Sequence, residues 1–144
     1  MHTNMNVSRI RGFSLIEILI VVTIIGLIAA WAASNIFGKQ EQAQARIAKG
    51  KMAGLTAQLD LYKLDTGKYP TTQDGLKALL QAPGGVTNWN GPYVKNGDDI
   101  KDPWRNDYIY RSPGNDNRPF EIISLGADGK EGGEGPNRDI NSWE

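Results

Sequence analysis

A single carboxylate, Glu17, interrupts an otherwise uncharged run of 21 residues from Phe13 to Ala33. An acidic side chain at the centre of a membrane-spanning helix costs roughly 2.5–3.5 kcal/mol to insert, so it is kept where something offsets that cost. Two arrangements would do so. Glu17 stands fifth in the run, near enough to one end for its carboxylate to reach headgroup water. Alternatively, a cation on another chain neutralises it, and the cost of leaving it unpaired then drives ordered association.

A second candidate lies at the other end of the chain. Between Asp116 and Glu144 there are seven acidic residues (Asp116, Glu121, Asp128, Glu131, Glu134, Asp139, Glu144) and three basic ones (Arg118, Lys130, Arg138), a local net charge of −4. The same stretch carries glycine at 126, 129, 132, 133 and 135. Hard cations such as Ca²⁺ collect six to eight oxygen ligands, and a Gly-rich segment can fold back far enough to present carboxylates and backbone carbonyls together. The Asp-x-Asp-x-Asp-Gly spacing of an EF-hand is absent, and the residues alone equally allow a solvated acidic loop.

Much other chemistry is excluded. The one histidine, His2, lies at the extreme N-terminus and there is no cysteine, so a His-based triad, a thiolate metal site and a disulfide framework are all ruled out. Asp128 and Asp139 as a catalytic carboxylate pair would need a substrate cleft that nothing else in the sequence suggests, so the chain reads as a non-enzyme. Sixteen Lys+Arg balance sixteen Asp+Glu, and no basic cluster accompanies Trp89, Trp104 or Trp143, so nucleic acid is not an expected partner and these tryptophans read as core or loop anchors.

The elements that position these residues follow from patterning. At 144 residues one globular domain is the default. Residues 13–33 as a helix would span roughly 30 Å, the thickness of a bilayer core. Arg9 and Arg11 precede the run without any acid, which sets the N-terminal end in the cytoplasm and the remainder outside the inner membrane. A secretory signal peptide, with Ala32-Ala33-Ser34 as its cleavage site, is the competing reading, but the run exceeds the usual apolar core. From Lys39 to Leu64 there is no proline, and Ala48, Met52, Leu55, Leu59 and Tyr62 recur at steps of four, three, four and three. One apolar helical face is therefore expected, stopped by Asp65-Thr66-Gly67. A short second helix is predicted from Thr71 or Thr72 to about Gln81, with Leu76, Leu79 and Leu80 buried. Short strands are predicted at Tyr93-Val94, Tyr108–Tyr110 and Phe120–Ser124, between Asp102-Pro103 and Ser112-Pro113-Gly114-Asn115 turns. The expected class is α+β, a long N-terminal transmembrane and stalk helix packed on a small antiparallel sheet with one short extra helix.

Gly12-Phe13-Ser14-Leu15-Ile16-Glu17, preceded by a short basic segment and followed by the apolar run, resembles the leader junction of type IV pilins and pseudopilins. Further along, Leu61–Thr72, Gly91-Pro92-Tyr93, Asp102-Pro103-Trp104 and Ser124-Leu125-Gly126-Ala127-Asp128-Gly129 resemble the major pseudopilins of type II secretion systems. The resemblance covers essentially the whole chain and implies a pilin-like fold. Residues 1–12 would be a leader, 13–34 the transmembrane and assembly helix, 35–66 the amphipathic stalk, and 67–144 a periplasmic globular region with a C-terminal calcium loop. It further implies that a prepilin peptidase cuts between Gly12 and Phe13 and N-methylates Phe13. Glu17 would then pair with the new terminus of a neighbour as copies polymerise with minor pseudopilins on an inner-membrane assembly platform. The resemblance also implies a structural Ca²⁺ held by Asp128 and Asp139, with the backbone carbonyls of Leu125 and Lys130. A type IV major pilin is the nearest alternative, although those commonly close the C-terminal loop with a disulfide that a cysteine-free chain cannot form. A monomeric, signal-anchored periplasmic binding module is the alternative from another class.

Overall fold

A computed structural model describes residues 12–144 and, within the helix, leaves the side chains of residues 34–38 out of account. Residues 1–11 of the expected 1–12 leader, with His2, Arg9 and Arg11, lie outside the described residues.

Helix α1 runs unbroken over Leu15–Thr66, 52 residues. Ser14 opens it: its carbonyl accepts the N–H groups of Glu17 and Ile18 at 3.0 and 3.2 Å. Gly67 closes it at a φ of +85°, a left-handed stop in which its N–H returns to the Lys63 carbonyl at 2.7 Å. The chain divides into two compact units, residues 1–38 and 39–144. In the first, Leu15–Ala33 is a 19-residue stretch long and apolar enough to cross a membrane, and none of it is buried.

The second unit has its own core. Ala48, Met52, Leu55, Leu59 and Tyr62, the five positions expected from periodicity, are all buried, and they pack with Leu76, Ala78, Leu79, Tyr108, Tyr110, Ile122 and Ile140. The sheet is antiparallel, in the order β1 (Ile109–Arg111), β2 (Glu121–Ser124), β3 (Ile140–Asn141). Tyr110 pairs with Ile122, and Ser124 with Ile140.

Two expectations need correction. The short second helix is present but shorter than expected, a four-residue 3-10 helix over Leu76–Leu79, and Leu80 is half-buried where full burial was expected. Thr71 and Asp74 first close a reciprocal turn, Thr71 N–H and Oγ to Asp74 Oδ2 at 3.1 and 2.6 Å and Asp74 N–H to Thr71 Oγ at 3.1 Å. Gly75 then leaves helical geometry at φ +61°. Leu76 and Leu79 are nonetheless buried as expected. Tyr93-Val94 is not a strand: the Tyr93 N–H bonds to the Leu79 carbonyl at 2.8 Å, and its hydroxyl donates to Asp65 Oδ2 at 2.7 Å. The third strand comes instead from Ile140–Asn141, after the Gly-rich stretch.

Candidate functional site

At the start of α1, Phe13 is 75% exposed and Glu17 follows four residues on, one helical turn away. The Glu17 carboxylate reaches back to the Ser14 N–H at 3.4 Å, as an acidic residue in the first turn of a helix can. Ser14 and Glu17 thus stand as the Ser-x-x-Glu pair of a helix start, a signal the sequence carried and periodicity alone overlooked. Glu17 is exposed at the surface of the helix start.

The acidic loop is built from the sheet outward. Because Ser124 pairs with Ile140, the residues next outside that pair, Leu125 and Asp139, begin and end one loop closed at its base. Gly126, at φ +68°, makes that closure possible. A Cβ there would fall 2.8–2.9 Å from backbone atoms of Pro136, Asn137 and Arg138, so a larger residue would push the two sides of the loop apart. The Ala127 N–H bonds to the Pro136 carbonyl at 2.9 Å across the same junction. Gly133 is as tightly confined, with the Asn137 carbonyl oxygen 2.6 Å from a Cβ placed there.

Asp128 and Asp139 both lie in this loop. Asp128 Oδ1 accepts the Lys130 N–H at 3.1 Å, and Asp139 Oδ2 accepts the Gly132 N–H at 2.9 Å. The other oxygen, Asp139 Oδ1, is buried with no hydrogen-bond partner. A buried carboxylate oxygen left unpaired is costly, and a cation relieves that cost directly. No three His, Cys, Asp or Glu side chains gather into a metal cluster among the described residues. Any ion here would therefore draw on backbone carbonyls such as those of Leu125 and Lys130 as well as on the two carboxylates. That donor set is all oxygen and suits Ca²⁺.

A network that the sequence reading passed over supports the base of the loop. Asp102 and Ser124 are both buried, and Ser124 Oγ donates to Asp102 Oδ2 at 2.7 Å. Asp102 Oδ1 accepts the N–H groups of Trp104 and Asn106 at 3.0 and 2.8 Å, and Asn106 Nδ2 donates to the Gly126 carbonyl at 2.9 Å. The Asp-Pro-x-x-Asn sequence from 102 to 106 carried this turn. Glu121, also fully buried, accepts the Asn115 N–H at 3.2 Å, Asn115 Nδ2 at 2.9 Å and Arg111 Nη1 at 3.0 Å. Burial alone would raise its carboxyl, but these hydrogen bonds and the Arg111 charge outweigh it and hold the group below its ordinary value. The three tryptophans act as anchors. Trp89 Nε1 donates to the Ala78 carbonyl at 2.9 Å, Trp104 packs against the core, and Trp143 lies beneath the Arg118 guanidinium at 4.2 Å.

Comparisons with known proteins agree with this anatomy. Residues 7–33 match the family described as prokaryotic N-terminal methylation motif, and residues 35–143 match type II secretion system (T2SS), protein G. The chain is 45% identical to the type II secretion system core protein G of Pseudomonas aeruginosa, over 92% of this chain and 94% of that one. It is 44% identical to the protein of that name from Vibrio cholerae, over 92% and 90%. A crystal structure of the major pseudopilin from the type 2 secretion system of enterohaemorrhagic Escherichia coli superposes with a TM-score of 0.61 at 32% identity, covering 76% of this chain and 94% of that one. A methylation motif at the head of an apolar helix, continued by a match over most of the remaining chain, means that this protein belongs to the type II secretion system protein G family.

Proposed function

We propose that the chain is the major structural subunit of a type II secretion pseudopilus and has no catalytic role of its own. The observation that carries this reading is the junction at Gly12-Phe13, with Glu17 one turn further on at the head of a membrane-length apolar helix. Prepilin peptidase removes residues 1–12 and methylates Phe13. Until then no α-amino cation exists beside the span, and afterwards the terminus of one copy can pair with Glu17 of a neighbour in low dielectric. The subunit enters from the inner membrane with its globular unit in the periplasm. It polymerises with its own kind and with minor pseudopilins on the assembly platform, and the growing fibre moves folded proteins towards the outer membrane.

The acidic loop is the calcium site of this reading. Asp128 and Asp139, with the carbonyls of Leu125 and Lys130, hold the ion, which supplies positive charge among the acids of the loop. The chain's own contribution is the Gly126 junction and the Asp102 network, which bring the ligating segments together beforehand. The experiment is the intact mass of the full chain extracted from membranes, together with electron microscopy of fibres sheared from cells overproducing it. Mass equal to residues 13–144 plus one methyl group, with fibres present, is the expected result. An intact leader or a chain that never forms fibres refutes the reading.

A further inference from the structure

Two Asn-Gly pairs occur in the chain, Asn90-Gly91 and Asn96-Gly97, in successive turns of the globular unit. An asparagine followed by glycine carries a built-in reaction. With no Cβ in the way, the glycine backbone nitrogen can reach Cγ of the asparagine side chain. In a folded chain the surrounding turn decides whether it does, and the two turns differ.

Asn96 is exposed and begins a turn in which the Asp99 N–H bonds to the Asn96 carbonyl at 3.2 Å. Its side chain is bent forward over the next residue, because Asn96 Oδ1 accepts the Asp98 N–H at 3.0 Å. The Gly97 amide lies inside the ring that this bond closes, and among the described residues its N–H has no hydrogen-bond partner. Gly97 is itself exposed, and a Cβ built on it would meet nothing within 4 Å. Attack by the Gly97 nitrogen therefore breaks no hydrogen bond and displaces no neighbour. The charge that develops on Oδ1 falls on an atom already held by an N–H donor, as in an oxyanion hole.

Asn90-Gly91 is arranged differently. The Tyr93 hydroxyl holds the Asn90 N–H at 3.1 Å, and the Trp89 indole packs so closely that a Cβ on Gly91 would lie 2.5 Å from the ring. The indole is fixed in turn by its 2.9 Å bond to the Ala78 carbonyl. Rotation of the Gly91 nitrogen towards Asn90 Cγ is opposed by that ring, and no donor waits on Asn90 Oδ1 among the described residues.

We propose that Asn96 is a modification site, converted without an enzyme to aspartate and isoaspartate through a cyclic imide, with water as the co-reactant. Solvent takes the Gly97 amide proton, and the nitrogen lone pair forms a bond to Asn96 Cγ. The Cγ–Nδ2 bond breaks and Nδ2 leaves as ammonia, its third hydrogen supplied by solvent. Water then opens the ring at Cγ, leaving aspartate, or at the Asn96 backbone carbonyl carbon, leaving isoaspartate. One water is consumed, one ammonia is released and nothing is oxidised. Either product sets a new carboxylate beside Asp98 and Asp99, and isoaspartate also lengthens the main chain by one carbon within the turn. Lys51 Nζ pins this turn to α1 through the carbonyls of Asp98 and Lys101 at 3.0 and 2.6 Å, and the longer backbone displaces that contact. The reaction marks a subunit by its age and loosens the turn from α1. It needs one chain only and does not depend on assembly.

The full-length chain, extracted from membranes, is aged in mildly alkaline buffer and mapped by mass spectrometry against an unaged control. Chymotrypsin, cutting after Tyr93, separates the two Asn-Gly pairs. The Asn96 peptide should gain about 1 Da per event and accept a labelled methyl group from isoaspartyl methyltransferase. In the folded chain it should do so at least about five times faster than the Asn90 peptide, and in urea the two rates should converge. Gly97→Ala, whose Cβ meets open space, should keep the melting temperature and slow the reaction at Asn96 about tenfold. Equal rates in the folded chain, or a preference for Asn96 that survives urea, would overturn the role of the turn. A gain in mass without isoaspartate, or an unchanged rate in Gly97→Ala, would overturn the imide route. An Asn96 that stays intact in the folded chain while it reacts in urea would overturn the site itself.

Discussion

Ser124 Oγ donates a 2.7 Å hydrogen bond to Asp102 Oδ2 in the interior, and this bond ties the last residue of β2 to a turn 22 residues earlier. Asp102 also holds the N–H groups of Trp104 and Asn106, so one carboxyl group fixes three donors next to the point where the acidic loop leaves the sheet. Asp102→Ala would remove the acceptor of the buried Ser124 hydroxyl and of the two part-buried N–H groups. The expected loss is roughly 2–4 kcal/mol of stability, read from urea denaturation of the full chain in detergent. Asp102→Asn keeps an acceptor for the two N–H groups and should cost less than half as much. Equal losses for the two variants would show that the network matters only as packing.

Calcium should stabilise the protein through the acidic loop. Five glycines make the loop costly to order, and Asp139 Oδ1 is buried without a partner, so an ion would offset an entropy cost and an electrostatic one together. The unfolding free energy should rise with added Ca²⁺ by RT ln(1 + [L]/Kd), so the melting temperature should climb with it, return to the starting value with EGTA, and respond less to Mg²⁺, which demands octahedral geometry and holds its waters. Asp128→Ala and Asp139→Ala should each abolish the response. In cells they should lower subunit abundance and secretion, since an unordered loop is open to proteolysis. A wild-type melting temperature indifferent to Ca²⁺ would make the loop a solvated acidic segment.

The core face of α1 could be read directly because Ala48, Met52, Leu55, Leu59 and Tyr62 are written in one contiguous helical stretch, where periodicity and burial coincide. Elsewhere tertiary contacts decide. Leu76 and Leu79 were legible as buried, but their 3-10 geometry depends on Gly75 at φ +61° and on the reciprocal Thr71–Asp74 turn. Tyr93-Val94 has the composition of a strand, yet its polar groups are taken by the Leu79 carbonyl and Asp65. Ile140–Asn141 pairs with β2 although it is only two residues long, too short for alternation to show. In the loop, Asp128 and Asp139 are named only by the resemblance, and the structure adds that each accepts a backbone N–H within the loop. The Asp102 support could not be read, because Asp102-Pro103 reads equally well as a plain turn between strands.

Glu121 should give the globular unit an acid-sensitive limb. Hydrogen bonds from Asn115 and Arg111 hold its carboxyl below the ordinary value of 4.5 in the folded state. The unfolded chain then binds the proton more readily than the folded one, so this stabilisation is full above the ordinary glutamate range and is lost as pH falls through the lowered folded value. Glu121→Gln should lower stability at pH 7 and flatten its decline below about pH 4.5, which denaturant titrations across pH 3–7 would show. An unchanged acid limb in this variant would assign the effect to other carboxylates.

Processing should depend on the small residue at position 12. Glycine has no Cβ, and a larger side chain beside the scissile peptide should hinder the peptidase. Gly12→Leu is expected to accumulate with its leader attached, as measured by intact mass of the membrane fraction. Mature chain beginning at Phe13 at the wild-type rate would place the junction elsewhere.

Glu17 separates two explanations of a carboxylate in an apolar run. Among the described residues it accepts the Ser14 N–H at 3.4 Å, a long contact. If the role of Glu17 were only to reach water at the end of the span, Glu17→Ala would remove a small insertion cost and change little else. If it pairs with the α-amino group of a neighbour, the variant should insert at least as well as wild type and still lose its leader. It should nevertheless fail to enter fibres, because the incoming terminal cation would be buried without a counter-charge. Glu17→Gln sharpens the test: it keeps a side chain that can accept the Ser14 N–H but removes the charge, so it should insert and be cleaved yet assemble as poorly as Glu17→Ala. Normal fibre yield from Glu17→Gln would assign the residue to the helix start, and a defect confined to leader removal would assign it to the peptidase.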